Sequence, residues 1–359
     1  MPGARFPRLE SGRLVFRFHA PDAKSVRLPA PGDSLGTEPV EFARDADGFW
    51  TGAIDAPGPG FHYYRLQIDG LLVNDPGSQA FSGYGLAASG VEIPEPGNTE
   101  AEFRDVPHGD VRSRWYHSTV TGDWRQLLIY TPPGYDAASS RRYPALYLQH
   151  GSGEDETSWS RQGRAGVILD NLLAASAAEP MLIVMGSGYP APPAEPGTPP
   201  SPERIQQVID GFGDVLLRDV VPLVDGLYRT KADRDNRALA GLSMGGRQAL
   251  AVGLRSLEQF AWLGGLSPAV WVDGTAGRGW TVGPDWVQES LKASGEFRPR
   301  HVFLTAGSLE TQFVTAIEDL AGMFTEVGIE HTSYVSPGTS HEWLTWRRSL
   351  VRLAPLLFR

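Results

Sequence analysis

Arg237-Ala-Leu-Ala-Gly-Leu-Ser-Met-Gly-Gly246 reads as the end of a strand, a sharp turn and the start of a helix. Arg237 to Gly241 is a short apolar run of the kind a sheet buries, and Gly245 to Arg255 carries a helical pattern. Between them, Gly241-Leu242-Ser243-Met244-Gly245 has the G-x-S-x-G spacing, with Gly246 following. A serine at such a turn sits in a strained backbone conformation with its Oγ raised above the sheet edge. Glycines two residues to either side leave room where a side chain would strike the neighbouring strand or helix. The helix start turns N–H groups and its positive dipole end toward the place where an oxyanion would form. Ser243 is therefore the candidate nucleophile. The plainer reading, a helix N-cap serine, is disfavoured by the strand that precedes it and the helix that follows.

Outward from this turn, strands and helices alternate. Gln126 to Tyr130, Pro144 to Gln149, Met181 to Met185, Phe260 to Leu266, His301 to Thr305 and Thr332 to Ser336 read as strands. Met181 to Met185 is wholly apolar, as a strand covered on both faces should be. Ala165 to Ala177, Ile205 to Leu217 and Glu342 to Leu353 read as helices, and Phe313, Ile317, Leu320 and Phe324 fall on one helical face. This alternation predicts an α/β fold over residues 108–359, a doubly wound, mostly parallel sheet. Tyr189 to Pro202 holds seven prolines, which excludes helix and central strand, so it reads as a loop at a strand end.

Residues 1–107 are of another kind. Gly12 to His19 alternates apolar and polar residues, and Ser25 to Leu28, Gly48 to Ile54 and Phe61 to Ile68 are further short β runs. Asp47-Gly48, Pro57-Gly58-Pro59-Gly60 and Asp69-Gly70 supply turn chemistry between them. The expectation is a small all-β sandwich, with Gly77 to Pro107 as an ordered loop or linker into the second domain.

A serine nucleophile needs a base, an acid and an oxyanion site. In a sheet of this kind the order along the chain is nucleophile, acid, histidine. His341 follows the Pro337-Gly338-Thr339-Ser340 loop and precedes the last helix, where it can swing back over the sheet. Glu310, on the loop after the strand His301 to Gly307, is the candidate acid; Asp273, after the preceding strand, is the reserve. The oxyanion donors are the N–H of Met244 and that of Ser152, the latter in the small-residue loop His150-Gly151-Ser152-Gly153. His150 reads as a brace for this loop rather than a base. Glu154-Asp155-Glu156 lacks convergent histidines, so it reads as a solvated loop or helix cap and not a metal site. Trp159, Trp271 and Trp343 stand near active-site loops in sequence and are candidate cleft residues. This chemistry requires no cofactor and no metal.

Composition narrows the field further. With 359 residues and a hydrophobic fraction of 41%, the chain can build two ordinary cores. A formal net charge of −10 argues against nucleic acid or anionic lipid as main partner. With no cysteine in the sequence, disulfides and thiolate chemistry are excluded. No apolar run approaches the roughly 18 residues that a membrane span needs. The first ten residues lack a signal-peptide core, so the sequence as it stands reads as cytoplasmic, or secreted if a signal has been removed.

Leu146-Tyr-Leu-Gln-His-Gly-Ser-Gly-Glu-Asp-Glu-Thr-Ser-Trp159, Gly163 to Asn171, Ala240 to Gly246 and Ser340-His-Glu-Trp343 together resemble carbohydrate esterase family one. That family holds feruloyl and acetyl xylan esterases and is similar to esterase D and the enterochelin esterases. Trp115 to Val120 and Tyr130 to Asp136 resemble the start of its catalytic domain. Gly60-Phe-His-Tyr-Tyr-Arg-Leu-Gln-Ile-Asp-Gly70 and Asn74-Asp-Pro76 resemble an immunoglobulin-like E-set module, related to starch-binding modules. The resemblance implies an α/β-hydrolase fold, triad roles for Ser243 and His341, and an oxyanion site at Ser152 and Met244. It places the acid at Glu310, where the family usually has Asp. The implied activity is hydrolysis of feruloyl or acetyl esters on plant polysaccharide fragments. A siderophore or other small-molecule esterase is the first alternative, and a non-catalytic carbohydrate-binding protein the second. The N-terminal module either binds sugar or shapes a wall of the cleft.

Overall fold

The computed structural model describes residues 6–29, 35, 38–83, 85–138, 140–191, 201–272 and 280–359. Asp273 and most of the proline-rich loop, residues 192–200, lie outside the described residues. The chain divides into two units, Met1–Asn98 and Thr99–Arg359.

In the first unit all described strand pairing is antiparallel. Arg13–His19 alternates buried and outward residues, with Leu14, Phe16 and Phe18 inward, and pairs along its whole length with Phe49–Asp55. Leu14, Phe16, Val26, Leu28, Trp50, Tyr64, Leu66, Val91 and Ile93 form one apolar core. Val26–Leu28, Leu66–Ile68 and Leu71–Val73 belong to a second small sheet.

Part of the stretch expected as loop or linker is sheet instead. Ala80–Gly83 and Leu86–Ile93 form a hairpin, and Leu86–Ile93 also pairs with Gly60–Tyr64. The physical reason is cross-strand packing. A Cβ on Gly83 would lie 2.5 Å from the Tyr63 ring, and one on Gly90 2.3 Å from the Phe61 ring. The glycines are the spaces into which facing aromatics fold, so a glycine-rich, weakly periodic sequence still makes a strand. Asp75 is buried, accepting from the Tyr64 hydroxyl at 2.7 Å and the Gly77 N–H at 2.7 Å. Burial raises both its pKa and that of Tyr64.

The second unit is built on one eight-stranded sheet. Its order is Asp110–His117, Trp124–Thr131, Leu182–Gly186, Ala145–Gln149, Arg237–Leu242, Trp262–Leu266, His301–Gly307, His331–Ser336. Trp124–Thr131 runs antiparallel to its neighbours, and the six strands beyond it pair in parallel. Ala145–Gln149, Arg237–Leu242 and Trp262–Leu266 are buried at every residue, which explains their continuous apolar sequences.

The helices are α1 (Ala165–Ala174), α2 (Pro202–Val215), α3 (Val221–Leu227), α4 (Met244–Gly253), α5 (Trp286–Ala293), α6 (Thr311–Glu326) and α7 (Trp343–Leu353). Residues of α2, α4, α5 and α6 join Leu239, Leu263, Val302 and Leu304 in one apolar core. The alternate strand residues face the other way, where α7 approaches so closely that a Cβ on Gly264 would lie 3.2 Å from Leu353. Helices thus cover both faces, as the alternating pattern requires. Sequence periodicity for α2 runs on to Leu217; the structure continues as a π-helical turn, Leu216–Val220, leading into α3. Among the described residues no helix is long and apolar enough to cross a membrane.

Candidate active site

Loops leave the carboxyl ends of five adjacent parallel strands, from Ala145–Gln149 to His331–Ser336, and meet above the sheet, the position where open α/β sheets carry ligands. At their centre, Ser243 joins Arg237–Leu242 to α4 with φ 52 and ψ −114. A positive φ on a non-glycine residue costs roughly 1–3 kcal/mol and persists only where its surroundings enforce it. Here the Ser243 N–H donates to Leu266 O at 2.8 Å, and its carbonyl accepts from Ala269 N at 3.1 Å. The flanking glycines are sterically required. A Cβ on Gly241 would lie 2.5 Å from the Gly245 backbone, and one on Gly245 2.4 Å from His150 O.

The Ser243 hydroxyl lies 2.9 Å from His341 Nε2, and His341 Nδ1 lies 2.5 Å from Glu310 Oε1. A carboxylate on Nδ1 fixes the tautomer: Nδ1–H donates to Glu310, and Nε2 accepts a hydrogen bond from the Ser243 hydroxyl. The Glu310 side chain is 2% exposed, that of His341 36%. The other carboxylate oxygen, Oε2, accepts from the Gly307 N–H at 2.6 Å and from Ser267 Oγ at 2.8 Å. Trp346 Nε1 donates to Ser267 Oγ at 3.2 Å. The His341 ring lies between Phe313, stacked at 4.5 Å, and Trp346, edge-on at 5.0 Å. The acid and histidine loops are laced together: Ser308 and Leu309 N–H groups donate to Ser336 and Thr339 carbonyls, each at 2.9 Å.

Ser267 and Trp346 were not singled out by the sequence, and Phe313 was read there only as part of an apolar helical face. Ser267 directly follows the apolar strand that ends at Leu266.

The Gly151 loop reaches the serine from the adjacent strand end. A Cβ on Gly151 would sit 3.5 Å from Ser243 Cβ. The N–H groups of Met244 and Ser152 make no hydrogen bond among the described residues. The loop is held from below and from the side. His150 is buried; its Nδ1–H donates to Gly151 O at 2.8 Å, and its Nε2 accepts from the Gly188 N–H at 2.9 Å. Burial pulls its pKa down from 6.5 to about 4, so the ring is neutral. Gly153 N–H donates to the Tyr189 hydroxyl at 2.7 Å. Glu154 accepts from Gly151 N–H at 3.1 Å, and Asp155 from Thr157 N–H at 2.9 Å, so two of the three acidic residues here shape the loop. No group of three or more His, Asp or Glu side chains comes together as a metal site among the described residues.

The three tryptophans separate. Trp159 and Trp343 are each 1% exposed and pack edge to face at 5.3 Å. Trp159 Nε1 also donates to Gln149 O at 2.9 Å. Both rings are packing elements beneath the loops, because nearness in sequence did not carry the direction in which the ring points. Trp271 lies 4.9 Å from Phe313, the ring stacked on His341.

Residues 118–357 match the esterase family. Over its full length the chain is 36% identical to the endo-1,4-beta-xylanase/feruloyl esterase of Xylanibacter ruminicola, and it spans 46% of that protein. A CE1 ferulic acid esterase from Anaeromyces mucronatus shares the fold over 74% of this chain and 96% of its own, with a TM-score of 0.63 at 24% identity. The enterobactin esterase FES of Shigella flexneri does so over 97% of this chain and 94% of its own, with a TM-score of 0.66 at 19% identity. On this matched span, this identity and this shared α/β-hydrolase fold, the chain belongs to the esterase family.

Proposed function

We propose that the chain is a serine carboxylic-ester hydrolase in which Ser243 is the nucleophile, His341 the general base and Glu310 the acid of the triad. The observation that carries this reading is the unbroken line of hydrogen bonds from Ser243 Oγ through both ring nitrogens of His341 to Glu310. As Oγ attacks the ester carbonyl, Nε2 takes its proton, and Glu310 stabilises the imidazolium that forms. The N–H groups of Met244 and Ser152 receive the oxyanion. His341 returns the proton to the departing alcohol. Water, deprotonated by the same nitrogen, then releases the acid and restores Ser243. Every step uses side chains and backbone of this chain.

The substrates we propose are feruloyl or acetyl esters of plant polysaccharide fragments, a reading supported by the likeness to the xylanase/feruloyl esterase relative. Phe313, stacked on His341 and packed against the buried Trp271, offers aromatic surface for a hydroxycinnamoyl ring. A siderophore or other small-molecule ester is the second reading. It is favoured by a likeness to the enterobactin esterase that extends over 97% of the chain. For Met1–Asn98 we propose the immunoglobulin-like E-set architecture, supported by its antiparallel sheets around one core.

Ser243→Ala tests the mechanism. It is expected to abolish 4-nitrophenyl acetate hydrolysis and fluorophosphonate labelling while the melting temperature stays within a few degrees of the parent. Turnover retained in that variant removes the reading. Methyl ferulate, acetylated xylan and a ferric triscatecholate, assayed side by side, separate the two substrate classes.

A further inference from the structure

Arg247 lies one turn into α4, where its N–H donates to Ser243 O at 3.1 Å. Residues four apart share a helix face, and helical side chains lean toward the N-terminus, so this guanidinium leans toward Ser243. It is 8% exposed, yet among the described residues its side chain has no hydrogen bond and no ion pair, and its Nε is buried without a partner. Other buried arginines of this unit have partners for their charge, although Arg237 also leaves its Nε unpaired. Arg237 Nη2 meets Asp225 at 2.5 Å, and Arg347 Nε donates to Gln162 O at 2.8 Å.

The surroundings of Arg247 belong to the candidate active site. Its electrostatic neighbour is Tyr189, whose hydroxyl accepts from Gly153 on the loop that carries Ser152. The next residue, Gln248, donates to Gly188 O at 2.8 Å, which ties the Tyr189 loop to the same helix turn. Burial lowers the guanidinium to about 10, so it is still cationic at neutral pH. A largely buried cation with no counter-charge among the described residues is costly unless something arrives to pair with it. Arginine's planar fork suits a carboxylate best, through two parallel N–H···O bonds.

We propose that Arg247 is a substrate-binding residue that receives a carboxylate carried by the ester, so that this enzyme prefers anionic esters over neutral ones of the same shape. The proposal rests on Ser243 being the nucleophile. The carboxylate can belong to the acyl or to the alcohol part, and two substrate pairs separate these sources. Mono-4-nitrophenyl succinate against 4-nitrophenyl butyrate tests the acyl side; 4-acetoxybenzoate against phenyl acetate tests the alcohol side.

The quantity to read is the ratio of kcat/KM, anionic over neutral, within each pair, so that a general loss of turnover cancels. The wild type should favour the anionic member of one pair. Arg247→Met should lower that ratio about tenfold or more, mainly through KM, and Arg247→Lys should fall between. A wild type with no preference in either pair overturns the proposal, as does a ratio that Arg247→Met and Arg247→Lys leave unchanged. Should Arg247→Met not fold, the wild type and the lysine variant decide alone. Ser243→Ala, run beside them, keeps the two readings apart: turnover in that variant sinks the nucleophile, whereas unchanged ratios with an inactive Ser243→Ala sink only the role of Arg247.

Discussion

Acid should loosen this protein through His150, a residue that touches no substrate. The ring is buried and spends both nitrogens on the loops beside Ser243, donating to Gly151 O and accepting from the Gly188 N–H. Protonation would place a second N–H against the Gly188 N–H, donor against donor. Burial accordingly holds the pKa near 4, against an ordinary value of 6.5. Because the folded state holds the group below its unfolded pKa, between these two pH values the unfolded chain binds the proton that the native one refuses. Stability is full above pH 6.5 and drains away as pH falls toward 4. Each pH unit of difference is worth about 1.4 kcal/mol, so the whole span removes about 3 kcal/mol, of which about 2.5 kcal/mol is gone by pH 4.5. Urea unfolding at pH 7.5 and 4.5, for the wild type and His150→Gln, measures this as the difference between two differences, in which the carboxylates common to both proteins cancel. The wild type should lose about 2.5 kcal/mol more than the variant across that interval. Equal losses in the two proteins, or an imidazole signal for His150 that titrates near 6.5, would refute the argument.

Glu310→Gln leaves Nδ1 of His341 without a charged acceptor and should lower kcat about 1,000- to 10,000-fold with little change in KM, measured on 4-nitrophenyl acetate. Glu310→Asp keeps the charge but is one methylene short, and should lose about 100-fold in the same assay. Gly245→Ala forces a Cβ to within 2.4 Å of His150 O and should cost about 1–3 kcal/mol or more by thermal unfolding. Gly322→Ala, in α6 with nothing within 4 Å of the added carbon, should instead stabilise by up to about 1 kcal/mol.

Legibility in the sequence followed the range over which each cause acts. The parallel sheet could be read because strands buried on both faces leave continuous apolar runs such as Met181 to Met185. Ser243 could be read because its requirements are local, within two residues on either side. His341 was reachable through chain order, since one loop after the last strand leads back over the sheet. What stayed hidden depends on residues distant in sequence. The Ala80–Gly83 and Leu86–Ile93 hairpin owes its strands to Phe61 and Tyr63, about twenty to thirty positions earlier, which fill the places its glycines leave empty. Ser267 matters only through Glu310, forty-three residues on. Trp159 and Trp343 stand beside the right loops, but a residue's place in the sequence does not say which way its ring turns. Arg247 looks like any helical arginine until the carboxylates that could pair with it are found to be absent among the described residues around it.

The glutamate at position 310 is best understood from the sheet itself. The ladder sets Leu242 opposite Leu266 and Leu266 opposite Thr305, so the residues that follow, Ser243 and Ser267, leave neighbouring strands side by side. Ser243 N–H then donates to Leu266 O, and Ser267 N–H to Thr305 O, extending the same register one residue beyond the sheet. Ser267 and Gly307 are thus fixed by backbone pairing, and both donate to Oε2 of Glu310. That anchors one carboxylate oxygen to the sheet and leaves Oε1 for His341. Glu310 stands three residues past Gly307, at the foot of α6, so its carboxylate has to reach back toward the strand end to be held there. The second methylene supplies that reach. An aspartate at this position could meet the imidazole only by giving up the anchor on Ser267 and Gly307, or could keep the anchor only by drawing away from the imidazole. Glu310 is therefore matched by a dedicated pair of donors, and its separation from Ser243 is set by strand register as well as by the loops that carry them.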